Sequence, residues 1–387
     1  MSAYPQCTAA RRARPRRRRL AALAALPGLL LAVAACGGED PAARWEPGQA
    51  VAGSPSPGRT ASAAPRTVSL SATGDIVMGS APGRLPADGG KDFFTPVRKA
   101  LAADVVMGNL EEPLTDDTGT AKCGANSSGC HQFRVPPGYA KHLADAGFTV
   151  LNQANNHGND YGAAGYRNTS AALTEQGLKH TGAPGEITVL TVGQVKIAVL
   201  GFSPYAWNNS SLNLTAAADL VRKADEAADL VVVQVHMGAE GSDKIHVKPG
   251  TEMFLGENRG DPIAFAHAVI DAGADLVVGH GPHVLRAMEF YQGRLIAYSL
   301  GNFAGGSGTL SRSGRLGQAG ILKVSLKPDG TWDGGSFTST KLNTAGRPVP
   351  DDGGQGLALI RQVTQADFPS TGARLDTGGR ITPATTG

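Results

Sequence analysis

Asp275-Leu-Val-Val-Gly-His-Gly-Pro-His283 is the stretch on which the fold turns. Asp275–Val278 reads as a short buried strand, since it is a branched apolar run bounded by a glycine. Gly281-Pro282 then forces a turn, with His280 and His283 on either side of it. Two imidazoles flanking one turn can converge on a metal ion. A strand that ends in a chemistry-bearing loop is the unit of an α/β sheet, where ligands gather beyond the carboxyl ends of the strands.

The unit recurs along the chain. Val68–Ala72, Asp104–Gly108, Val195–Gly201, Leu230–Val235 and Leu295–Ser299 also read as buried strands. Pro137–Ala146, Ala163–Gln176, Ala216–Ala227 and Pro262–Ala272 have helical periodicity, with Gly177 and Gly273 placed as C-terminal stops. Such alternation predicts an α/β domain, set here at residues 67–345. Pro328-Asp-Gly330 reads as a hairpin turn near its end. Residues 346–387 read as an extension, and the last 20, rich in Gly, Thr and Pro, as a frayed tail.

The N-terminus has a different character. Seven arginines between Arg11 and Arg19 precede the 16-residue apolar run Leu20–Ala35. That is the layout of an export signal over residues 1–35, and it is short for a membrane span, which needs ~20 apolar residues. The run ends in Val33-Ala-Ala-Cys36, which resembles a bacterial lipobox with Cys36 as the acylated residue; a plain secretory signal is the alternative. The arginines also admit a twin-arginine route. Residues 36–66, with five prolines among Gly, Ala and Ser, read as a disordered tether. The expected location is therefore outside the cytoplasm, on the bacterial membrane by a lipid anchor.

Charge and cysteine use agree with export. Residues 1–35 hold seven of the 36 basic residues and none of the 33 acidic ones, which leaves the mature chain at −4. The basicity belongs to the signal, and nothing points to nucleic acid as a partner. Cys123 and Cys130 stand in a Gly/Asn/Ser loop, and in an oxidising compartment such a pair is most simply a disulfide. A zinc clip with His131 is the alternative.

Further segments bear ligand or proton-transfer groups. Asp75 follows a strand and a glycine, where an Asp either binds a metal or turns the chain. Glu111 ends a second strand in Asn109-Leu-Glu-Glu-Pro. In Asn155-Asn-His-Gly-Asn-Asp160, Asn156 can offer an amide oxygen to a metal, His157 can transfer a proton, and Asp160 can orient His157; a helix-capping turn is the rival. His236 stands at the open end of a buried strand, as a ligand or as a core histidine. Ser299-Leu-Gly-Asn302 reads as a strand end that buttresses the site.

In order, Gly74-Asp75, Asn109-Leu-Glu111, Ala154-Asn-Asn-His157, His236-x-Gly-x-Glu240, Gly279-His-x-Pro-His283 and Tyr298-Ser-Leu-Gly-Asn302 resemble the signature blocks of the CapA family. These are capsule or poly-γ-glutamate synthesis proteins, a branch of the calcineurin-like metallophosphoesterases. The resemblance runs from about Val68 to Phe303. It implies a four-layer αββα sandwich holding two divalent metal ions (Mn, Fe or Zn). Asp75, Glu111, Asn156, His236, His280 and His283 would hold the metals, with His157 handling protons.

The chain departs from the pattern at two places. Phosphoesterases carry a histidine two residues after the first Asp, where this chain has Val77. The CapA form often has His in the middle of the Gly-His-x-Pro-His block, where this chain has Gly281. Gly241–Gly260 is long for the family, and Arg259, with Glu240, reads as a substrate contact in which Arg259 meets an anionic group; a solvated loop charge is the rival reading of Arg259. Two functions follow. One is a metal-dependent hydrolase of phosphoester or γ-glutamyl amide bonds. The other is a non-catalytic accessory that helps assemble or retain an anionic surface polymer. The partners implied are the membrane and that polymer or its synthase complex.

Overall fold

Two blocks of parallel strands form two sheets. The structure, a computed structural model, describes residues 66–124 and 127–384. The export signal, Cys36 and nearly all of the tether lie outside the described residues. Val68–Val77 is central in the larger sheet. Val105–Leu110, Val150–Asn152 and Lys179–Thr181 follow in parallel on one side. Gln318–Leu326 and Trp332–Leu342 run antiparallel on the other. In the second sheet Val195–Ser203, Leu230–His236, Leu276–His280 and Arg294–Ala297 are parallel.

Side-chain alternation along the strands sets the layers. Leu70, Ala72, Val105, Met107 and Val150 pack with Val199, Val233 and Val277 of the second sheet. Val106, Leu110 and Leu151, of opposite phase, join Leu101, Leu143 and Leu173 from helices on the outer face. Val221 from Leu214–Ala227 and Phe265 and Val269 from Pro262–Asp271 join the second sheet's cluster. The product is a four-layer αββα sandwich. Each fully buried Val or Leu contributes ~1.5–3 kcal/mol, so apolar contact between layers carries the fold.

Helix ends follow local chemistry. Asn213 and Asp261 cap the two helices of the second sheet by accepting from Ala216 N and Ala264 N. Gly177 and Gly273 take φ of +74° and +123°, which confirms them as stops. The Pro328-Asp-Gly330 hairpin joins two antiparallel strands. Cys123 and Cys130 form a disulfide; with both sulfurs paired, the zinc clip with His131 does not form.

Two expectations need correction. The first strand does not end at Ala72 but continues to Val77, so Asp75 lies within it at a register shift rather than after it. The C-terminus is not frayed over its described residues, which run to Ala384. Pro348–Pro350 pairs with Trp332–Leu342, and helix Gln355–Asp367 buries Leu359, Ile360 and Val363 in the main core. Arg374–Leu375 and Arg380–Thr382 then extend the larger sheet. Leu375 and Ile381 are buried among its polar neighbours, and those few apolar residues outweigh the Gly/Thr/Pro composition.

Candidate metal centre

Strand register assembles the site. Asn302, Asp75, Asn109 and Asn152 form one row across the larger sheet. His280 lies beside His236 at the carboxyl ends of the second. Gly74 makes the close approach possible, since a Cβ there would sit 1.8 Å from the Gly301 carbonyl oxygen. Gly281 has φ +107°, and a Cβ would press on the His236 ring at 3.0 Å. That is why glycine suits this place.

Five ionisable side chains meet here. Asp75, Glu111 and His236 each offer a ligand atom, all within 4.8 Å of one another. His283 Nδ1 is 3.0 Å from Asp75 Oδ2, and its Nε2 is 3.6 Å from Glu111 Oε1. His280 Nδ1 is 3.9 Å from Asp75 Oδ1. All but His283 are wholly buried. Asn109 Nδ2 donates to Asp75 Oδ1 (2.8 Å), and Asn109 Oδ1 accepts from Asn152 and Asn155 (both 3.1 Å). Asn302 Oδ1 lies 2.9 Å from His283 Nδ1 and steadies a residue whose φ is +61°. A positive φ on a non-glycine residue costs of order 1–3 kcal/mol and clusters at functional sites.

The electrostatics fit a cation. Burial drives the His236 pKa well below its ordinary value, and that of His280 down to about 4, so both rings are neutral with lone pairs available. Burial raises Glu111 well above the carboxylate range. Burial also opposes ionisation of Asp75, but the His283 hydrogen bond and the nearby imidazoles hold it at about 2. His283 is raised well above 6.5: burial opposes this, but Glu111, Asp75 and Glu240 outweigh it. Both Glu111 oxygens, His236 Nε2 and both His280 nitrogens are buried without a hydrogen bond. Buried polar groups normally have partners. A ring of unfilled oxygen and imidazole donors is what a divalent transition ion takes.

A proton-handling pair stands beside the cluster. His157 Nδ1 is 2.7 Å from Asp160 Oδ2, which also accepts from Phe133 N (2.8 Å). Lys122 Nζ is 3.2 Å from Asp160 Oδ1. Burial lowers the His157 pKa despite Asp160. With Nδ1–H pointed at Asp160, Nε2 is the atom that exchanges a proton. His157 lines two cavities of about 260 and 380 Å³, which share His131, Glu240 and Phe254 and so form one cleft.

Most of the site read from sequence is found in one place. Asp75, Glu111, His236, His280 and His283 come together, and His157 and Asp160 are paired. Asn156 lines the cleft, its Oδ1 buried and without a hydrogen bond. Glu240 and Arg259 also line it, Glu240 Oε2 lying 3.7 Å from His283 Nε2. Arg259 is no solvated loop charge: it is 3% exposed and bonded to Glu240 and Glu257. Asn109 holds Asp75 on the neighbouring strand. Val77 packs with Phe133 and Leu310, so no ligand stands there. Tyr205, Trp207, Phe254 and Lys122 line the cleft without a sequence signal, since single aromatic and basic residues in loops are common.

The fold is an αββα sandwich with a buried carboxylate–imidazole cluster at its strand ends. Residues 69–307 match the family described as bacterial capsule synthesis protein PGA_cap, and the chain belongs to that family. It is 31% identical to the PGA biosynthesis protein CapA of Bacillus subtilis, over 77% of this chain and 78% of that one. It is 33% identical to the capsule biosynthesis protein CapA of Bacillus anthracis, over 68% of this chain and 65% of that one. Among solved structures, a 5'-nucleotidase precursor from Thermus thermophilus is similar, with a TM-score of 0.40, 13% identity, and coverage of 78% of this chain and 59% of that one.

Proposed function

We propose that this protein acts outside the cytoplasm, anchored through lipid on Cys36, in the making of an anionic surface polymer. Its centre holds two divalent ions and hydrolyses phosphoester or γ-glutamyl amide bonds of that polymer. The single observation that carries this is the set of buried donors with no hydrogen bonds, set directly beside the His157–Asp160 pair. Asp75, Glu111, His236, His280 and His283, with the Asn156 oxygen, would hold the ions, which supply Lewis acidity toward the scissile group. His157 takes a proton at Nε2 from the attacking water and passes it to the leaving oxygen or nitrogen, and Asp160 keeps the ring in position for it. Asn109 and Asn302 keep Asp75 and His283 aimed.

Val77 favours a second reading, a metal-holding accessory without turnover, because a buried valine replaces a phosphoesterase ligand. The two readings differ in one assay. Metal-loaded protein should cleave bis(p-nitrophenyl) phosphate or a γ-glutamyl anilide faster than chelator-treated protein. Full metal content with no turnover of either substrate would remove the hydrolase reading and leave the accessory.

A further inference from the structure

One wall of the cavity of about 260 Å³ outside His157 has no part in proton transfer or in holding a cation. Phe254, Arg259, Tyr205 and Trp207 follow one another along it. The guanidinium carbon of Arg259 is 5.3 Å from the Phe254 ring centre and 5.7 Å from that of Tyr205. Tyr205 stacks on Trp207 at 5.0 Å and 16°. Hydrogen bonds pin both rings: the Tyr205 hydroxyl donates to Glu257 (2.9 Å), and Trp207 Nε1 to the Asn155 carbonyl (3.2 Å). Arg259 is almost wholly buried, yet its Nη1 has no hydrogen-bond partner.

Charge decides what that free nitrogen takes. Glu240 and Glu257 already balance Arg259, and Asp160 balances Lys122, the other strong base on this cavity. A third carboxylate at Arg259 would meet two like charges at short range. A neutral hydroxyl or amide oxygen meets no such repulsion and still fills the donor. The part of the cleft along this wall has about 260 Å³, which takes one small ring. A ring with an apolar face can continue the stack on Trp207.

We infer that this wall is a subsite for a neutral sugar ring of the substrate, packed on Trp207 and giving a hydroxyl or amide oxygen to Arg259 Nη1. The inference rests on the cleft being the substrate's way to the metal centre. Calorimetric titration of the metal-loaded protein with a neutral N-acetylhexosamine tetrasaccharide tests it. Binding is expected, and its dissociation constant should change less than about twofold when salt is raised to ~0.5 M. Trp207→Leu should weaken it roughly tenfold, as loss of a stacking platform does. Arg259→Lys, which keeps a charge for Glu240 and Glu257 but lacks the Nη1 donors, should weaken it too. No binding at millimolar sugar, or wild-type affinity in Trp207→Leu, overturns the subsite. So does preferential, salt-sensitive binding of a glutamate oligomer. Sugar binding without turnover would sink the hydrolase reading alone, and turnover without sugar binding would sink only the subsite.

Discussion

His157→Gln is expected to lower hydrolysis by ~10²–10⁴-fold, the usual contribution of a positioned proton-transfer group, while the metals stay bound. The reason is geometric. His157 is tied by Nδ1 to Asp160 and faces the cleft, whereas the proposed metal ligands other than Asn156 come from other segments of the chain. The glutamine amide can still bond Asp160 but has no titratable nitrogen to offer. Asp160→Asn should cause a smaller loss, because Phe133 N and Lys122 then lose a carboxylate and the ring loses its orientation. Steady-state rates and metal analysis of the same preparations check both. A His157→Gln enzyme within a few-fold of wild type, with equal metal, would remove His157 from the chemistry.

Arg286→Met is expected to cost ~3–5 kcal/mol of stability, the range for breaking a buried ion pair from one side. Arg286 is 1% exposed and grips Glu252 with both terminal nitrogens, at 2.8 and 2.9 Å. It also donates to the Lys244 and Ala239 carbonyls. These bonds fasten the long Gly241–Gly260 segment, and with it Arg259 and Phe254, beside the centre. Met preserves most of the volume but removes the cation from Glu252, which keeps only the Ala239 N–H, and leaves two carbonyls without the Arg286 donor. Thermal unfolding should start ~10 °C lower. Arg286→Met combined with Glu252→Met should recover much of the loss, because no buried charge is then stranded. An unchanged midpoint in the single variant would show that the segment is held by other contacts.

The sequence carried some parts of this molecule plainly and others not at all. Strands of branched apolar residues, and glycines past helix ends, are local signals with one physical reading, and all of those named appear. The candidate ligands were legible because Asp75, His236 and His280 stand at or near strand ends, where an α/β sheet gathers its chemistry. Burial of Arg259 was not legible: its partner Glu257 is close in sequence, but its aromatic neighbour Tyr205 comes from a distant loop. Arg286 gave no signal either, since its partner Glu252 is 34 residues away. The C-terminal strands were hidden for a related reason. Strands of two or three residues have no periodicity to detect: Arg380–Thr382 exists because Trp332–Leu342 offers an edge, and Arg374–Leu375 because Arg380–Thr382 then offers the next.

Metal content of the purified protein, set beside that of His236→Ala, tests the centre most directly. His236 reaches Asp75 and Glu111 from the other sheet, so its loss opens the cluster without touching the apolar contact between layers. Elemental analysis should find divalent transition metal in the folded wild type and a marked deficit in a His236→Ala protein with the same circular dichroism. A folded wild type that stays metal-free after incubation with Mn, Fe or Zn, or a His236→Ala protein with full content, would contradict the assignment.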